Sequence, residues 1–420
     1  MATSGSDIQA VILTGDGDRG ALDFLRSLAR ENISAVVVST EPNDIASKSR
    51  HCRKLVLVRP YVETNDAHNL KVLAALGEEF STKPILIYGE DINMLFISRN
   101  RDALHEHYHF VMPRQGLAEK FVNKTEFQTL AEKHGIPVPK TRFAHSYDEL
   151  VSVSKQMTYP TFVKPAYTMN WSFDDPVLRK KYRGYKFALR QFQTAEEMLE
   201  WCKDLPLGNG GVLVQEFIPG SDREVFSFHG YFDERSQPLA YFVGRKIRTF
   251  PMHHGGSAFI ETVDEPNVAK IAIESLQKVK FSGIVKIDMK RNPRDGSFKI
   301  LEVNPRYTLW ESLGALAGVN LCAVAFRHAR GTLNGSVQNA YALHYKWLFF
   351  KQDIRAFFTG YWRANEWTLR SYLNSLRGKK IYQIWDWKDP LPFCYSAAQF
   401  WAKNGRRAIR KITRSDSTDK

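Results

Sequence analysis

The sequence predicts an α/β protein in which a Rossmann-like N-terminal domain precedes a mixed α+β core and a mainly helical C-terminal extension. Residues 8–39 follow a strand, turn, helix, strand order, which is typical of a βαβ unit. Residues 284–303 alternate apolar and polar residues on either side of a turn signal, which predicts an antiparallel hairpin. A chain of 420 residues with 43% hydrophobic content is long enough for about two to four domains.

Composition narrows the classes of partner and compartment. The formal net charge of +14 favours anionic partners, among them nucleotides, nucleic acids, acidic glycans and anionic lipid surfaces. Four widely spaced cysteines, with no Cys-x-x-Cys pair, indicate neither a disulfide framework nor a thiolate metal site, so a cytoplasmic location is expected. The sequence opens without a basic and apolar leader, and no apolar run approaches the ~20 residues of a membrane span. We therefore expect a protein that is neither exported nor integral to a membrane.

The turn at Gly15–Gly20 leaves a rival function open. It matches Gly-x-Gly-x-x-Gly, and Glu41 follows where a dinucleotide-binding Rossmann fold places its ribose-binding acid, as in an NAD-type oxidoreductase. However, Asp16 and Asp18 would put two negative charges beside the pyrophosphate, so we expect the glycines to serve the tight turn. Farther along, Glu90 would lie at the carboxyl edge of a parallel sheet, where open α/β sheets bind ligands.

The predicted hairpin brings polar side chains together. Its two-residue period puts Lys286, Asp288 and Lys290 on one face of the first strand, and Glu302 and Asn304 on one face of the second. Two carboxylates and a carboxamide are oxygen ligands, which suit a hard cation such as Mg²⁺ that also binds nucleotide phosphates. The alternative is a surface hairpin whose polar face is only solvated.

This hairpin resembles the metal-binding hairpin of the ATP-grasp superfamily, in which an acid on one strand precedes a Glu-x-Asn-x-Arg run on the next. The resemblance covers roughly residues 8–330 and rests on residues that occur in the family's order: Lys124, Lys164, Glu224, Lys286, Asp288, Glu302, Asn304 and Arg306. Within the superfamily, Asn304-Pro-Arg-Tyr307, Gly318-Val-Asn-Leu321 and a Gly-poor loop at 167–190 are similar to the carboxylate–amine ligase branch that contains D-aspartate ligase.

The resemblance implies three domains. Residues 1–115 would form a Rossmann-like pre-ATP-grasp domain. Residues 116–335 would form the ATP-grasp domain, with a lysine-bearing subdomain at about 116–208 and a metal-hairpin subdomain at about 209–335. Residues 336–420 would form a basic, aromatic-rich extension that ends in a frayed tail.

It also implies an ATP site with three phosphate-binding lysines. Lys124 opens a predicted helix, whose amino end favours phosphate. Lys164 ends a short strand before Pro165, and in the family the matching lysine reaches the α and β phosphates. The loop at 167–190 departs from the family because it contains only one glycine, and among its cations Lys186 is the expected phosphate ligand.

The base and the ribose would be bound farther along the chain. Glu216 and Ile218 would contact adenine through backbone groups, and Glu224 would bind the ribose hydroxyls. The loop at 251–257 contains two glycines beside basic residues, so it could bind a carboxylate or the γ-phosphate.

The implied chemistry joins a carboxylate to an amine. Asp288, Glu302 and Asn304 would hold Mg²⁺ or Mn²⁺, while Lys286 and Arg306 would neutralise charge on the transferred phosphate. The substrate carboxylate would attack the γ-phosphate of ATP to give an acyl phosphate and ADP, and an amine would then form the amide. The partners are accordingly ATP and small carboxylate and amine substrates.

The C-terminal region permits two readings. Apolar residues recur there at helical spacing, with basic residues interspersed: Phe349, Phe350, Ile354, Phe357 and Phe358, with Lys351, Arg355 and Arg363. Such a helix could cap the core, or it could dock on the inner face of an anionic membrane and so reach a lipid-linked acceptor. A nucleic-acid-binding protein without catalysis remains a further alternative on net charge alone.

Overall fold

The computed structural model describes residues 9–15, 20–165, 190–205, 207, 211–253, 255–333 and 335–402. Its strands are β1 (Ala10–Thr14), β2 (Ala35–Ser39), β3 (Cys52–Leu57), β4 (Ile85–Tyr88), β5 (Thr141–Ala144), β6 (Thr161–Pro165), β7 (Gln191–Phe192), β8 (Val212–Glu216), β9 (Val225–Phe232), β10 (Pro238–Phe250), β11 (Gly256–Thr262), β12 (Gly283–Arg291), β13 (Phe298–Asn304), β14 (Lys346–Leu348) and β15 (Lys380–Tyr382).

The same residues form helices of several lengths. The α-helices are Gly20–Ala29, Asp66–Glu78, Asp91–Arg99, Arg101–His105, Leu117–Val122, Lys124–Lys133, Tyr147–Ser154, Ala195–Cys202, Pro266–Lys278, Glu311–Ala317, Leu321–Ala329, Phe350–Ala356, Leu369–Ser375 and 391–402. Short 3-10 helices occur at Ile45–Lys48, Glu63–Asn65 and Asp222–Glu224, and a π-helix at Phe357–Tyr361. Among these described helices, none is long and apolar enough to cross a bilayer.

Contacts divide the chain into two compact units. The first comprises Met1–Phe110, Arg306–Asn334 and Lys380–Lys420, and the second comprises Val111–Pro305 and Gly335–Lys379. These units assign the residues after 305 differently from the three domains expected from the sequence, whose boundaries therefore stay a prediction.

The first unit contains a parallel sheet in the order β3-β2-β1-β4. Its central strands β1 and β2 are apolar along most of their length and fully buried, as expected where helices cover both faces of a parallel sheet. Helix Gly20–Ala29 connects them, which confirms the predicted βαβ unit. Residues 16–19 of the glycine motif lie outside the described residues, so the predicted tight turn remains an expectation.

The last described segment, residues 380–402, belongs to this first unit. Asp389 is almost fully buried, and its carboxylate accepts hydrogen bonds from Arg26 Nε at 3.1 Å and Ser49 Oγ at 2.7 Å. The Arg50 backbone N–H donates to the same carboxylate at 3.0 Å. Because the extra donors satisfy this buried ion pair, the segment is held against helix Gly20–Ala29 and residues 49–50.

The second unit contains two antiparallel sheets. The smaller has the order β5-β8-β6-β7 and encloses an apolar cluster that includes Val163, Val214 and Met198. In the larger, strands of the second unit run in the order β13-β12-β9-β10-β11-β14, and its core packs against helix Pro266–Lys278. The alternation of apolar and polar residues along β12 and β13 gives this sheet one apolar face and one polar face.

Residues 335–379 are part of the core of the second unit. β14 pairs with β11, and Asp353 forms a fully buried ion pair with Arg248 of β10 at 2.7 Å. Phe357 is fully buried and stacks on Tyr372, with ring centroids 4.2 Å apart. The reading of this stretch as a packed cap therefore agrees with the structure, although Phe350 and Phe358 remain exposed.

Candidate functional site

The hairpin predicted from the sequence is formed by β12 and β13. Lys286 lies opposite Asn304, and Asp288 lies opposite Glu302. A bulge follows Asp288, so that Met289 faces Ile300. The four polar residues therefore occupy two alternate pairs of one ladder, on either side of the pair Ile287–Val303, and so share one face of the hairpin.

Asp288 is held by cations from two strands. Its Oδ2 lies 3.0 Å from Lys286 Nζ and 3.4 Å from Lys246 Nζ, and Ser227 Oγ donates to Oδ1. Burial by itself raises the pKa of Asp288, but the two ammonium groups and these hydrogen bonds outweigh burial and lower the pKa well below its usual range. The carboxylate is therefore ionised at any physiological pH.

Two lysines face the other acid of the hairpin. Burial and, to a smaller extent, the charge of Lys124 lower the pKa of Lys164 to about 8, against the opposing charge of the exposed Glu302. Burial likewise lowers the pKa of Lys124 against the opposing charge of Glu302. The structure thus brings Lys124, Lys164 and Glu302 into one electrostatic group, although they are far apart in sequence.

Local structure fixes where these two lysines stand. Lys124 is the first residue of helix Lys124–Lys133, which Asn123 caps by accepting from the Thr125 and Glu126 amides. Lys164 lies in β6, where its Nζ donates to Gln215 Oε1 at 3.3 Å and sits 4.4 Å from the Phe162 ring centroid. Two partly buried cations beside a helix amino end form a surface suited to phosphate.

The three residues expected to contact adenine and ribose lie near the end of β8 and after it. Glu216 closes β8, and its carboxylate accepts from the Lys140 amide at 3.1 Å. Ile218 is buried two residues later. Glu224 ends the 3-10 helix Asp222–Glu224 and pairs with Arg291 at 2.7 Å, so its carboxylate is held beside the turn end of the hairpin. No contact in this structure tests their roles, which stay predictions.

Arg306 and Lys186 are the two predicted residues that the second unit, as described, does not include. Arg306 belongs to the first unit, where its Nε donates to Asp91 Oδ1 and its guanidinium donates to the Gly89 carbonyl at 3.0 Å. Lys186 lies in the predicted loop, of which residues 167–189 fall outside those described. Gly89 and Asp91 flank Glu90, so Arg306 lies at the carboxyl edge of the parallel sheet.

Sequence reasoning missed Lys246 and Ser227 as members of the site. Ser227 and His229 alternate with apolar residues along β9, so the two-residue period could have placed them on the face of Asp288. No local pattern in the sequence places Lys246 near Asp288, because that contact depends on the strand order β12-β9-β10. His229 is fully buried between these charges, and burial together with Lys286 lowers its pKa, so it is neutral.

The loop after β10 joins the site through a second polar group. His253 Nε2 lies 2.7 Å from Glu366 Oε1, and its Nδ1 lies 3.7 Å from Asp222 Oδ2. Tyr361 donates to the same Asp222 oxygen, and Thr249 Oγ1 lies 3.2 Å away. Hydrogen bonding to Asp222 and the charges of both acids raise the pKa of His253 despite burial. His254, the other histidine of the predicted anion loop, lies outside the described residues.

Comparisons of sequence and of structure show which known proteins this chain resembles. D-aspartate ligase of Enterococcus faecium is 27% identical over 254 residues, which cover 57% of this chain and 57% of that protein. The large chain of carbamoyl phosphate synthase from Clostridium acetobutylicum is 21% identical over 359 residues, which cover 77% of this chain and 30% of that protein. An ADP complex of PurK, N5-carboxyaminoimidazole ribonucleotide synthetase, matches 82% of this chain and 81% of that chain with a TM-score of 0.58 at 14% identity. The chain has the ATP-grasp fold of these solved structures and is similar in sequence to these ligases.

The ATP-grasp fold class and the carboxylate–amine ligase resemblance predicted from the sequence are thereby confirmed. An L-amino acid ligase from Bacillus licheniformis has the same fold, with a TM-score of 0.54 at 13% identity over 77% of this chain and 75% of that chain. No protein-family model matches the chain. The chain spans 57% of the length of D-aspartate ligase and 30% of the length of the carbamoyl phosphate synthase large chain.

The hairpin residues fit the metal ions of an ATP-grasp site by their chemistry. Asp288, Glu302 and Asn304 offer carboxylate and carboxamide oxygens on adjacent strands, which is the donor set of Mg²⁺ rather than of zinc. Within the described ranges, no cluster of three or more His, Cys, Asp or Glu side chains is placed to hold a metal. The set therefore depends on the Asn304 carboxamide and on oxygens from a bound phosphate or water.

Proposed function

We propose that this protein is an ATP-dependent carboxylate–amine ligase that forms an amide through an acyl phosphate and releases ADP. The observation that carries the proposal is the joint placement of Lys124 and Lys164 with Glu302, which lies directly opposite the lysine-bound Asp288 in the hairpin. Two cations that would meet a triphosphate and two acids that would meet its metal lie in one unit. Phosphoryl transfer requires this combination of positioning and charge neutralisation.

The first step transfers the γ-phosphoryl group. An oxygen of the substrate carboxylate attacks the γ-phosphorus, the bond from that phosphorus to the β,γ-bridging oxygen breaks, and ADP leaves with the electron pair. Lys164 and Lys124 bind the phosphates and keep the nucleotide in place. Lys286 neutralises charge on the transferred group, and Lys246 helps keep Asp288 ionised for this purpose.

The second step forms the carbon–nitrogen bond. The amine, as its free base, attacks the acyl carbon, the bond from carbon to the phosphate oxygen breaks, and inorganic phosphate leaves. Counted from the ammonium form, one proton stays with the phosphate and one passes to solvent. No side chain becomes covalently bound in either step, so the residues of the site act by binding and by charge.

Asp288, Glu302 and Asn304 would hold divalent cations, which when bound neutralise charge on the β- and γ-phosphate oxygens. We assign Glu216 and Ile218 to adenine, Glu224 to ribose, and Lys186 to the triphosphate. Arg306 is proposed as a clamp on the acyl phosphate. The position of Arg306 beside Gly89 and Asp91 at a carboxyl sheet edge supports a ligand-binding role.

The relatives suggest the substrate class. D-aspartate ligase and L-amino acid ligase are named for amino acid substrates, so we propose that an amino acid supplies the carboxylate or the amine. We further propose that it is joined to another amino acid, a peptide or a cell-envelope precursor. A lipid-linked acceptor would place the enzyme peripherally at the inner membrane face, and the exposed aromatic side chains near the C-terminus support this extension.

The proposal is tested by trapping the intermediate. The purified protein is screened with amino acids for ADP release in the presence of ATP and Mg²⁺, and hydroxylamine is then added with the active acid. We expect a hydroxamate of that acid, formed with ADP. Formation of AMP and pyrophosphate would instead mean adenylation and would contradict the acyl phosphate.

The alternatives inferred from the sequence are separated by ligand-induced stabilisation. ATP with Mg²⁺ should raise the thermal midpoint, because a ligand that binds only the folded state stabilises it. Stabilisation by NAD alone would favour the oxidoreductase, and stabilisation by an oligonucleotide alone would favour a nucleic-acid-binding protein.

A further inference from the structure

Residues 385–401 expose an unusual set of aromatic and aliphatic side chains. Trp387 is 84% exposed, Trp401 72% and Leu391 61%, and Phe393 and Phe400 are also exposed. Monomeric soluble proteins rarely leave several large apolar side chains together in water, and such patches mark sites of protein or membrane interaction. We call this set the aromatic face.

The exposed side chains of the aromatic face belong to a segment whose backbone is held by buried hydrogen bonds. Between the exposed tryptophan and the exposed helix lies Asp389, whose carboxylate is buried against Arg26, Ser49 and the Arg50 amide. Arg26 also donates to the Ile384 carbonyl at 2.8 Å. The backbone is therefore fixed at both sides of Trp387 while its indole points into solvent.

The rings form a continuous surface rather than scattered contacts. Trp385 lies 5.0 Å, centroid to centroid, from both Trp387 and Phe393, and Phe400 lies 6.0 Å from Trp401. In helix 391–402, Phe393, Phe400 and Trp401 recur at i, i+7 and i+8, which is one face of a helix. This face is turned outward, whereas the core side of an amphipathic helix would be covered.

An uncharged stretch of the sequence within the aromatic face is followed directly by a basic stretch. Residues 390–402 contain no charged side chain. Residues 403–414, which lie outside the described residues, contain six cations and no acid: Lys403, Arg406, Arg407, Arg410, Lys411 and Arg414. An uncharged aromatic stretch that continues directly into cations complements an anionic bilayer, since aromatic rings favour the interfacial depth and cations favour the headgroups.

We propose that the aromatic face binds the surface of an anionic membrane, with Trp387, Phe393, Phe400 and Trp401 inserted at headgroup level. This differs from the segment that the sequence offered for such a role, residues 349–363. There Phe357 is fully buried and packs on Tyr372, so much of that apolar pattern serves the core. A protein groove is a poorer match, because it would not require six cations without an acid directly after the aromatic residues in the sequence.

Membrane binding is measured on the full-length protein by flotation with vesicles. We expect flotation with phosphatidylcholine mixed with phosphatidylglycerol, little with phosphatidylcholine alone, and a loss of binding at high salt. Tryptophan fluorescence should shift to shorter wavelength and should be quenched by brominated lipids. Replacing Trp387 and Trp401 together by Ser should lower the membrane partition coefficient by about tenfold or more.

The matched control replaces Leu57 and Val62 together by Ser. These two apolar residues are each 51% exposed in the same unit but outside the aromatic face, so their loss should leave flotation unchanged. Both double variants should keep the thermal midpoint and any amino-acid-dependent ATP hydrolysis of the wild type, which shows that they fold. A third variant, Arg406→Gln with Arg407→Gln and Arg410→Gln, should weaken binding to the anionic vesicles alone.

Three outcomes would overturn the proposal. The wild type could ignore anionic vesicles at low salt, or it could float equally well after the tryptophan substitutions. It could also form a concentration-dependent dimer in light scattering that the same substitutions abolish, which would assign the aromatic face to a second copy of the chain. None of these results bears on the ligase reaction, which is measured separately in solution.

Discussion

Lys246 reaches past a whole strand to approach Asp288. The two residues lie on β10 and β12, which are separated in the sheet by β9, and yet Lys246 Nζ is 3.4 Å from Asp288 Oδ2. Ser227 of the intervening strand donates to the other carboxylate oxygen. Three neighbouring strands therefore determine the orientation and charge of one acid.

Replacing Lys246 by Met should lower the rate of amino-acid-dependent ADP release by about tenfold to a hundredfold, because it removes one of two cations from Asp288. The pKa of Asp288 should rise toward its ordinary value. Lys270→Met, on the exposed side of helix Pro266–Lys278, is the matched control. Equal activity of both variants would show that the approach to Asp288 is structural only.

Asp288→Asn and Glu302→Gln should each lower turnover by several orders of magnitude, because each removes charge from a proposed metal ligand. Glu302 is exposed, so its variant should retain the thermal midpoint of the wild type. The Asp288 variant should also lose some stability, since Lys246 and Lys286 would then face each other without a carboxylate. Asp264→Asn, an exposed acid of the same unit, should behave as wild type in steady-state kinetics.

ATP affinity should fall as pH rises, and the cause should be Lys164. Burial lowers its pKa to about 8, so the free protein carries this cation below that pH and loses it above. We expect the ATP dissociation constant, measured by calorimetry, to rise severalfold between about pH 7 and about pH 9. Lys164→Arg should abolish most of that rise because a guanidinium stays charged. An unchanged pH profile in the Arg variant would exclude Lys164 as the titrating group.

Two neighbouring glycines should respond differently to alanine. A Cβ on Gly255 would lie 1.9 Å from the Phe250 carbonyl carbon and 2.2 Å from the Pro251 nitrogen, whereas a Cβ on Gly256 would meet no atom within 4 Å. Gly255→Ala should therefore lower the thermal midpoint by about 5 °C and impair the loop that carries His253. Gly256→Ala should leave both the midpoint and the activity near wild type, and equal effects would contradict the described turn.

The Arg248–Asp353 pair should reveal how residues 335–379 contribute to the second unit. Both side chains are fully buried, so Arg248→Met would leave an uncompensated carboxylate and should cost about 3–5 kcal/mol in the free energy of unfolding. Adding Asp353→Leu should recover most of that loss in denaturant titrations. If the double variant is as unstable as the sum of the singles, the pair is not coupled.

The shared face of Lys286 and Asp288, and that of Glu302 and Asn304, could be predicted because a two-residue period is a local property of the sequence. The pairing of Asp288 with Glu302 could not, because it depends on the bulge between Asp288 and Met289. The contribution of Lys246 could not be predicted, because it depends on the order β12-β9-β10, which is decided by long-range pairing. The grouping of Lys124 and Lys164 with Glu302 has the same origin, although the resemblance anticipated all three residues.

Arg306 has surroundings that spacing alone could not predict. It follows Asn304 by two residues, and on that spacing we expected it beside the metal ligands. The chain enters the first unit at this residue, and the guanidinium binds Asp91 and the Gly89 carbonyl there. Its catalytic role stays a prediction, and its location depends on a change of unit that leaves no local mark in the sequence.

The anchoring of Arg26 by Asp389 has a consequence for synthesis on the ribosome. Arg26 and Asp389 are 363 residues apart in the sequence. Asp23, in the same helix as Arg26, is 289 residues from its partner Ser312. At the translation rate of ~5–20 residues per second, Arg26 is synthesised roughly 20 to 70 s before Asp389. Val111–Pro305 and Gly335–Lys379 are both complete before that acid is made. The first unit to begin is therefore the last to be completed.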